Sequence, residues 1–201
     1  MKPMLTKGNP MIVHEVYAVT PERWPDLEML FGKNGACDGC WCMWWRLKHS
    51  DFLKQRGDAN KEALKSIVDS GEIPGLLAYA DGNPVAWCSI APRQSYTRLE
   101  RSRVLKRVDD QPVWSIVCFF VAREFRRQGL TGQLLEAAAE YARKRSATVI
   151  EGYPIEPRKG RMPDAWAYTG LASSFRNSGF EEVARRSETR PMMRKTLTPT
   201  G

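Results

Sequence analysis

Apolar positions along the chain recur with a period of two in some stretches and near 3.6 in others, and the switches divide it into strands and helices. Ile12–Val19 (IVHEVYAV) reads as a first strand. Thr20 and Pro21 then open a helix, Thr20 as its N-cap, with Trp24, Leu27, Leu30 and Phe31 on the apolar face before Gly32 stops it. A second helix starts at an Asn60 cap, with Asp58 as a rival, carries Ala63, Leu64, Ile67 and Val68, and ends at Gly71. Leu76–Ala80 and Val85–Ile90 flank Asp81-Gly82-Asn83, a hairpin signal, because Asp-Gly readily takes the positive φ angles of tight turns. The polar span Pro92–Asp110 follows, with a short helix predicted around Val104, Leu105 and Val108. Val113–Val121 carries no charge and is rich in β-branched and aromatic residues, the profile of a strand buried on both faces. In the next helix Leu130, Leu134, Leu135, Ala138, Tyr141 and Ala142 share one face, while Glu136, Glu140, Arg143 and Lys144 face water. Ala147–Tyr153 is a second buried strand, so strand, helix and strand form a parallel crossover unit. A loop with Arg158, Lys159 and Arg161 leads to a helix over Thr169–Ser178, and Glu182–Ser187 and Met192–Leu197 close the pattern as strands.

At 201 residues, with no break in composition, the chain is predicted to be one α/β domain over residues 12–197, with an extension at 1–11 and a tail at 198–201. No apolar run approaches the roughly 20 residues of a membrane helix, and MKPMLTKGNP lacks the apolar core of a signal peptide, so no membrane partner is expected. Five cysteines, an odd number at irregular spacing, fit a reducing cytoplasm better than a disulfide framework. The net charge of +8 permits an anionic partner without fixing one. Arg98, Arg101, Arg103, Lys106 and Arg107 form a local cluster that reads as a solvated loop, so a nucleic-acid partner is not expected. Monomer and homodimer both remain open.

Chemistry concentrates at the turn Arg126–Gly132, between the uncharged strand and the amphipathic helix. A helix start offers unpaired N–H groups and a positive dipole end, glycines let an anion approach the backbone, and two arginines add charge. This is a candidate pyrophosphate cradle. The run FRRQGLTGQLL resembles the acetyl-CoA-binding motif of the GNAT acetyltransferase superfamily, Arg or Gln, two residues, Gly, one residue, then Gly or Ala. Arg126 and Gly129 match, and Thr131 departs at the last position. The order of predicted elements is also similar to the full GNAT plan, which implies a single-domain α/β fold with a mixed sheet of about seven strands flanked by helices on both faces.

The resemblance further implies acetyl-CoA as co-substrate and direct attack by an amine on its thioester. Phe119, Phe120 and Val121 would align the pantetheine arm, with a strand N–H for the developing oxyanion. Arg126, Arg127, Gln128, Gly129, Leu130, Thr131 and Gly132 would hold the pyrophosphate. FRNSGF is similar to the family's Tyr-x-x-x-Gly-Phe ending, with Phe175 where the tyrosine that protonates the departing thiolate normally stands. Tyr168 or Tyr153 is a candidate substitute. The family's frequent glutamate on the uncharged strand is absent, and Glu151 is the candidate base, with an ion pair to a nearby arginine as the competing role. Cys118, inside an apolar strand, reads as an inert core residue.

CDGCWCMWW at Cys37–Trp45 lies in the part of the family plan that shapes the acceptor site. Trp41, Trp44 and Trp45 are candidate substrate walls, with core packing as the alternative. Cys37, Cys40, Cys42 and His49 have zinc-ligand chemistry but not the spacing of common fingers, and no metal is predicted. The expected function is acetyl transfer to a small-molecule amine. A protein or aminoacyl-tRNA acceptor and a non-catalytic acyl-CoA-binding module are the alternatives.

Overall fold

The computed structural model describes residues 15–157 and 167–198; Ile12, Val13, the N-terminal extension, the loop residues Arg158, Lys159 and Arg161, and the end of the tail lie outside them. Among the described residues seven strands form one sheet: β1 (Glu15–Ala18), β2 (Gly75–Ala80), β3 (Asn83–Pro92), β4 (Trp114–Val121), β5 (Val149–Gly152), β6 (Glu181–Arg185) and β7 (Pro191–Thr196). Their spatial order is β1-β2-β3-β4-β5-β7-β6. Every neighbouring pair is antiparallel except β4 and β5, which the crossover makes parallel.

Helices cover both faces, as the strand periodicity requires. Trp24, Leu27 and Phe31 of α1 (Trp24–Phe31), Phe52 of α2 (His49–Lys54), Leu64 and Val68 of α3 (Asp58–Asp69) and Leu99 of α4 (Thr97–Glu100) pack with Leu77 and Trp87. On the other face Leu134, Leu135 and Ala138 of α5 (Leu130–Arg143) and Phe175 of α6 (Ala172–Asn177) pack with Leu76, Ala86 and Cys88. Alternate residues of β2 and β3 thus feed two cores. The hairpin turns at Asp81 and Gly82, with φ of 49° and 74°.

Three local expectations change. Asn60 sits inside α3, which starts at Asp58 after Gly57; its buried amide donates to Gly39 O at 3.0 Å and ties the helix to the cysteine-tryptophan loop. No helix forms around Val104–Val108, because arginines take its carbonyls: Arg93 donates to Leu105 O and Arg186 to Lys106 O and Arg107 O. The short helix of this span is instead α4. Thr20 makes no side-chain cap bond, and Pro21–Arg23 is a 3₁₀ turn ahead of α1.

The sheet also makes the opening for a site. In β4, Cys118 pairs with Ser89 and Ile116 with Ile90, so Val117 is an extra residue, a bulge. Val117 and Cys118 consequently face the same core, and the alternation is inverted beyond them, which turns Phe119 toward α5 and α6. β4 and β5 pair only from Trp114↔Ile150 to Ile116↔Gly152 and then part.

Candidate functional site

A cleft of about 910 Å³ lies where β4 leaves β5. At one end it is lined by Arg126, Arg127, Gly129, Leu130, Thr131 and Gly132, along its floor by Phe119, Phe120 and Val121, and at the far end by Asp38, Cys40, Trp44, Phe52 and Tyr168. The turn before α5 is shaped by two left-handed residues, Arg127 at φ 63° and Gly129 at φ 81°. A side chain at Gly129 would meet no heavy atom within 4 Å, so the backbone there is open to a ligand. Gly129 O receives Gly132 N at 3.0 Å and Gln133 N at 3.4 Å, and the N–H groups of the turn before them have no carbonyl one turn back in the helix. Arg126 Nε donates to Val121 O at 3.0 Å, joining turn to strand. Thr131 is half-buried on the cleft wall. Gln128 does not line it; its amide donates to Glu124 O. Open backbone, positive dipole end and two arginines fit a pyrophosphate.

The floor is set by strand geometry. Phe119 N donates to Tyr168 O at 2.6 Å, across the gap between β4 and the chain entering α6. That N–H is therefore engaged. Ala122 N reaches Val85 O in the opposite direction, so Val121 turns its polar groups away from β3 as Phe119 does. Phe175 lies beneath this floor and does not line the cleft. Its ring is fully buried, in edge contact with Phe119 and Phe180. A side chain at Gly152 would come within 2.1 Å of it and one at Gly170 within 2.8 Å, so two glycines make its space.

At the far end the three tryptophans separate. Trp44 is half-buried and lines the cleft, in edge contact with Phe52 and His49. Trp41 and Trp45 are core residues: Trp41 stacks on Trp24 and meets Phe31, and both are under a tenth exposed. Neither walls the substrate cleft. The loop that carries them holds Ala36, Asp38, Trp41 and Cys42 at positive φ, a conformation costing about 1–2 kcal/mol per residue, offset by the Trp41 stack and the Asn60 anchor. Asp38, the carboxylate on the cleft wall, pairs with Arg56 at 2.9 Å.

Cys40 and Cys42 are held as thiols. Cys42 Sγ is 3.3 Å from Cys118 Sγ and receives Trp87 Nε1 at 3.0 Å; the contact with Cys118 and then burial push its pKa well up. Burial pushes Cys40 to about 12. Among the described residues no cluster of His, Cys, Asp and Glu is arranged to hold a metal ion.

Glu151 lies in a different place from the one its strand position suggested. It is fully buried. Oε1 accepts from Arg93 Nη1 at 2.7 Å and from the Tyr153 hydroxyl at 2.6 Å, and Oε2 accepts from Arg194 Nε at 2.7 Å. Tyr153 is fully buried too, its hydroxyl 2.8 Å from Ser115 Oγ, and burial followed by the Glu151 charge raises its pKa far above the usual value. Neither residue lines the cleft, and both Glu151 oxygens are already engaged by Arg93, Tyr153 and Arg194, so the carboxylate is out of reach of an acceptor amine bound there. The ion-pair alternative describes Glu151. Of the three candidate acids and bases, only Tyr168 faces the cleft. Burial raises its pKa, against the nearby charge of Arg190.

Arg98 departs from the solvated reading. Its guanidinium stacks 3.6 Å above the Trp44 ring, and burial lowers its pKa. Sequence periodicity gives no sign of this, because α4 has only four residues. Asp38 and Cys40 carry no sequence signal as wall residues, since a loop of left-handed turns carries no periodicity, and Phe52 belongs to a helix of only six residues, too short to show one.

A bulged, splayed β4 leading into an arginine-glycine turn and helix is the arrangement of an acyl-CoA-dependent transferase. The family model described as Acetyltransferase (GNAT) family matches residues 41–154, and the chain belongs to that family. Solved structures share the fold. One is a GNAT-family acetyltransferase from Listeria monocytogenes, with a TM-score of 0.56 and 14% identity over 91% of this chain and 94% of that one. Another is the PaiA N-acetyltransferase from Thermoplasma acidophilum in complex with coenzyme A, with a TM-score of 0.52 and 13% identity over 91% and 98%. A third is the ribosomal-protein-alanine N-acetyltransferase from Brucella melitensis, with a TM-score of 0.51 and 19% identity over 91% and 99%. No curated protein matches the sequence. Among the described residues no helix is long and apolar enough to cross a membrane.

Proposed function

We propose that the protein transfers the acetyl group of acetyl-CoA to the primary amine of a small molecule. The observation that carries this reading is one continuous cleft from the Arg126–Gly132 turn, past the β4 floor, to Trp44 and Tyr168. Acetyl-CoA supplies an activated acyl carbon on a good leaving group. Arg126, Arg127 and the first turn of α5 bind its pyrophosphate. Val121, whose N–H points away from β3, is the candidate donor to the pantetheine arm or to the carbonyl oxygen.

Trp44 and Phe52 enclose the acceptor and exclude water. The acceptor nitrogen forms a bond to the acyl carbon, the carbon–sulfur bond breaks with its electron pair on sulfur, and the ammonium proton leaves to solvent or to a neighbouring group. Tyr168 supplies a proton to the thiolate and takes one back from solvent before the next turnover. Because a thiol has a pKa near 8.5, this step is an aid rather than a requirement.

Calorimetric titration with acetyl-CoA, followed by thiol release across a panel of amines, tests the reading. It predicts binding in the presence of the turn arginines and turnover with at least one small amine. A chain that does not bind acetyl-CoA would overturn it. The non-catalytic alternative draws on one observation, that Phe175 is sealed beneath the floor and presents no hydroxyl there; binding without turnover on any amine would favour it.

A further inference from the structure

Cys42 and Cys118 meet where the wall of the cleft joins its floor. Their sulfurs are 3.3 Å apart, although the residues are 76 positions apart in the chain. Among the described residues no other two thiols are in hydrogen-bond contact. Both residues line the cleft, Cys42 from the loop that carries Trp44 and Cys118 from β4, one residue before Phe119. Cys118 thus departs from the reading of an inert core residue. The bulge at Val117 turns it to this side of the sheet, where the three cleft-lining thiols Cys40, Cys42 and Cys118 gather.

The contact has a direction. Trp87 Nε1 donates to Cys42 Sγ at 3.0 Å, and the Cys42 thiol donates to Cys118 Sγ. The contact with Cys118 and then burial keep the proton on Cys42. Cys118 is therefore the sulfur that meets an electrophile from the cleft, with Cys42 held behind it; they are 8% and 3% exposed. A cleft of about 910 Å³ admits a molecule as small as hydrogen peroxide, and only the first sulfur has to be reached from it. A disulfide holds its sulfurs about 2.05 Å apart, roughly 1.2 Å closer than this contact. Cys42 can move that far, because it sits at φ 52° in a loop outside the sheet, and Cys118 lies beside an irregularity of the β3–β4 ladder.

We propose that Cys42 and Cys118 form an oxidative modification site: a peroxide entering the cleft joins them in a disulfide that ties wall to floor and closes the acceptor end. The Cys118 sulfur attacks the O–O bond of hydrogen peroxide, becoming a sulfenic acid as the first water leaves. The Cys42 sulfur then displaces the hydroxyl group from that sulfur; the S–S bond forms, and the hydroxyl leaves with the Cys42 proton as the second water. Two electrons pass from the two thiols to the peroxide. Trp44 follows Cys42 by two residues and Phe120 follows Cys118 by two, so the bond pulls on both sides of the acceptor end. Tyr168 lies close enough for Cys118 and Cys40 to act on it by charge. The Arg126–Gly132 turn is left as it is. Formation of the bond is independent of the acetyl-transfer reading, and its effect on turnover rests on that reading.

The test treats the folded full chain with hydrogen peroxide, alkylates the remaining thiols in denaturant, and maps linked peptides by mass spectrometry without reduction. The linked peptides should be those carrying Cys42 and Cys118, with both thiols lost together and both restored by dithiothreitol. Cys37, which is exposed, reports that the oxidant has acted. Cys118→Ala should prevent oxidation of Cys42, and Cys42→Ala should leave Cys118 as a sulfenic acid that dimedone traps. The map of the wild-type chain decides the pairing even if a variant fails to fold. Cys42 and Cys118 still alkylated after Cys37 is oxidised, a link through Cys40 or Cys88 instead, or Cys118 carried to sulfinic acid beside an intact Cys42 would overturn the inference. Formation of acetylated amine, measured after the peroxide or reductant is removed, should fall in proportion to the disulfide and recover on reduction, with acetyl-CoA affinity retained. Undiminished turnover by the disulfide form would overturn closure of the acceptor end. A chain that acetylates no amine in either state would strike the function instead, and the peptide map would still decide the thiol pair.

Discussion

Arg93 Nη1 lies 2.7 Å from Glu151 Oε1, and neither residue is more than 1% exposed. The pair joins the loop after β3 to the centre of the sheet, since Arg93 also donates to Glu100, Leu99 O and Leu105 O, and Glu151 also receives Arg194. Removing the Glu151 charge takes from the buried Arg93 its innermost partner and leaves it only the more exposed Glu100, which costs up to about 3–5 kcal/mol. Glu151→Gln should therefore lower the denaturant midpoint strongly. Activity lost should track the unfolded fraction, and the folded fraction should keep the shape of the wild-type pH–rate profile. A stable variant whose rate loses one limb of that profile would restore Glu151 as the base.

That pair also shows where sequence reasoning reaches its limit. The alternation in ATVIEGY places Glu151 and Tyr153 on one face of a central strand, and the structure agrees that they share a partner. Which face opens to the cleft depends on Val117, one extra residue in an uncharged strand with nothing in its composition to mark it. The turn Arg126–Gly132 was legible because its chemistry is backbone geometry plus charge, both written locally. The acceptor end was not: Trp41, Trp44 and Trp45 are adjacent, yet only Trp44 reaches the cleft, because left-handed residues at 41 and 42 turn the chain between them. Arg98 reads as one more surface cation, because the ring it stacks on lies 54 positions earlier in the chain.

Arg127 and Gly129 share a left-handed backbone but should respond to substitution with different signs. Arg127→Gly relieves a strained φ of 63° and removes a charge from the phosphate end. Its stability should hold or rise by up to about 1 kcal/mol, while acetyl-CoA affinity falls and becomes less salt-sensitive. Gly129→Ala has room for its methyl group but not for its φ of 81°, so it should lose about 1 kcal/mol and weaken acetyl-CoA binding as well. Paired melts and titrations of the two variants decide this. Parallel changes in both quantities would sink the account of the turn.

Acid should destabilise the protein through its ion-paired carboxylates. Hydrogen bonding to Lys61 lowers the pKa of Glu28, hydrogen bonds from Arg176 and Arg185 lower that of Glu156, and one from Arg185 lowers that of Glu182. For Glu100 burial pushes upward and is outweighed by Arg107 and Arg93. A carboxyl whose folded pKa lies below its unfolded one contributes stability above the unfolded value and loses it as pH falls through the folded value. Urea midpoints should thus be level from about pH 7 to 5.5 and decline below about 4.5, where unfolded glutamates begin to bind protons first. A midpoint that stays level or rises down to pH 3 would contradict the pairing scheme.

Tyr168 offers the sharpest test of the chemistry, because its two parts do separable work. Its carbonyl accepts from Phe119 N and shapes the floor, and the residue lines the cleft, where its hydroxyl is the candidate acid. Tyr168→Phe removes the second and keeps the first, so acetyl-CoA binding and stability should change little. Burial holds the hydroxyl protonated beyond the ordinary tyrosine range, which keeps it a donor throughout neutral pH. As a positioned acid it should contribute near the lower end of the usual range, about 10²-fold in kcat, since a thiolate already departs tolerably. The loss should be largest for acetyl-CoA and smaller for an acyl donor whose thiol is more acidic, because a better leaving group needs less protonation. Full kcat in Tyr168→Phe, or an equal loss with both donors, would assign the hydroxyl to packing and leave departure of the thiolate unaided.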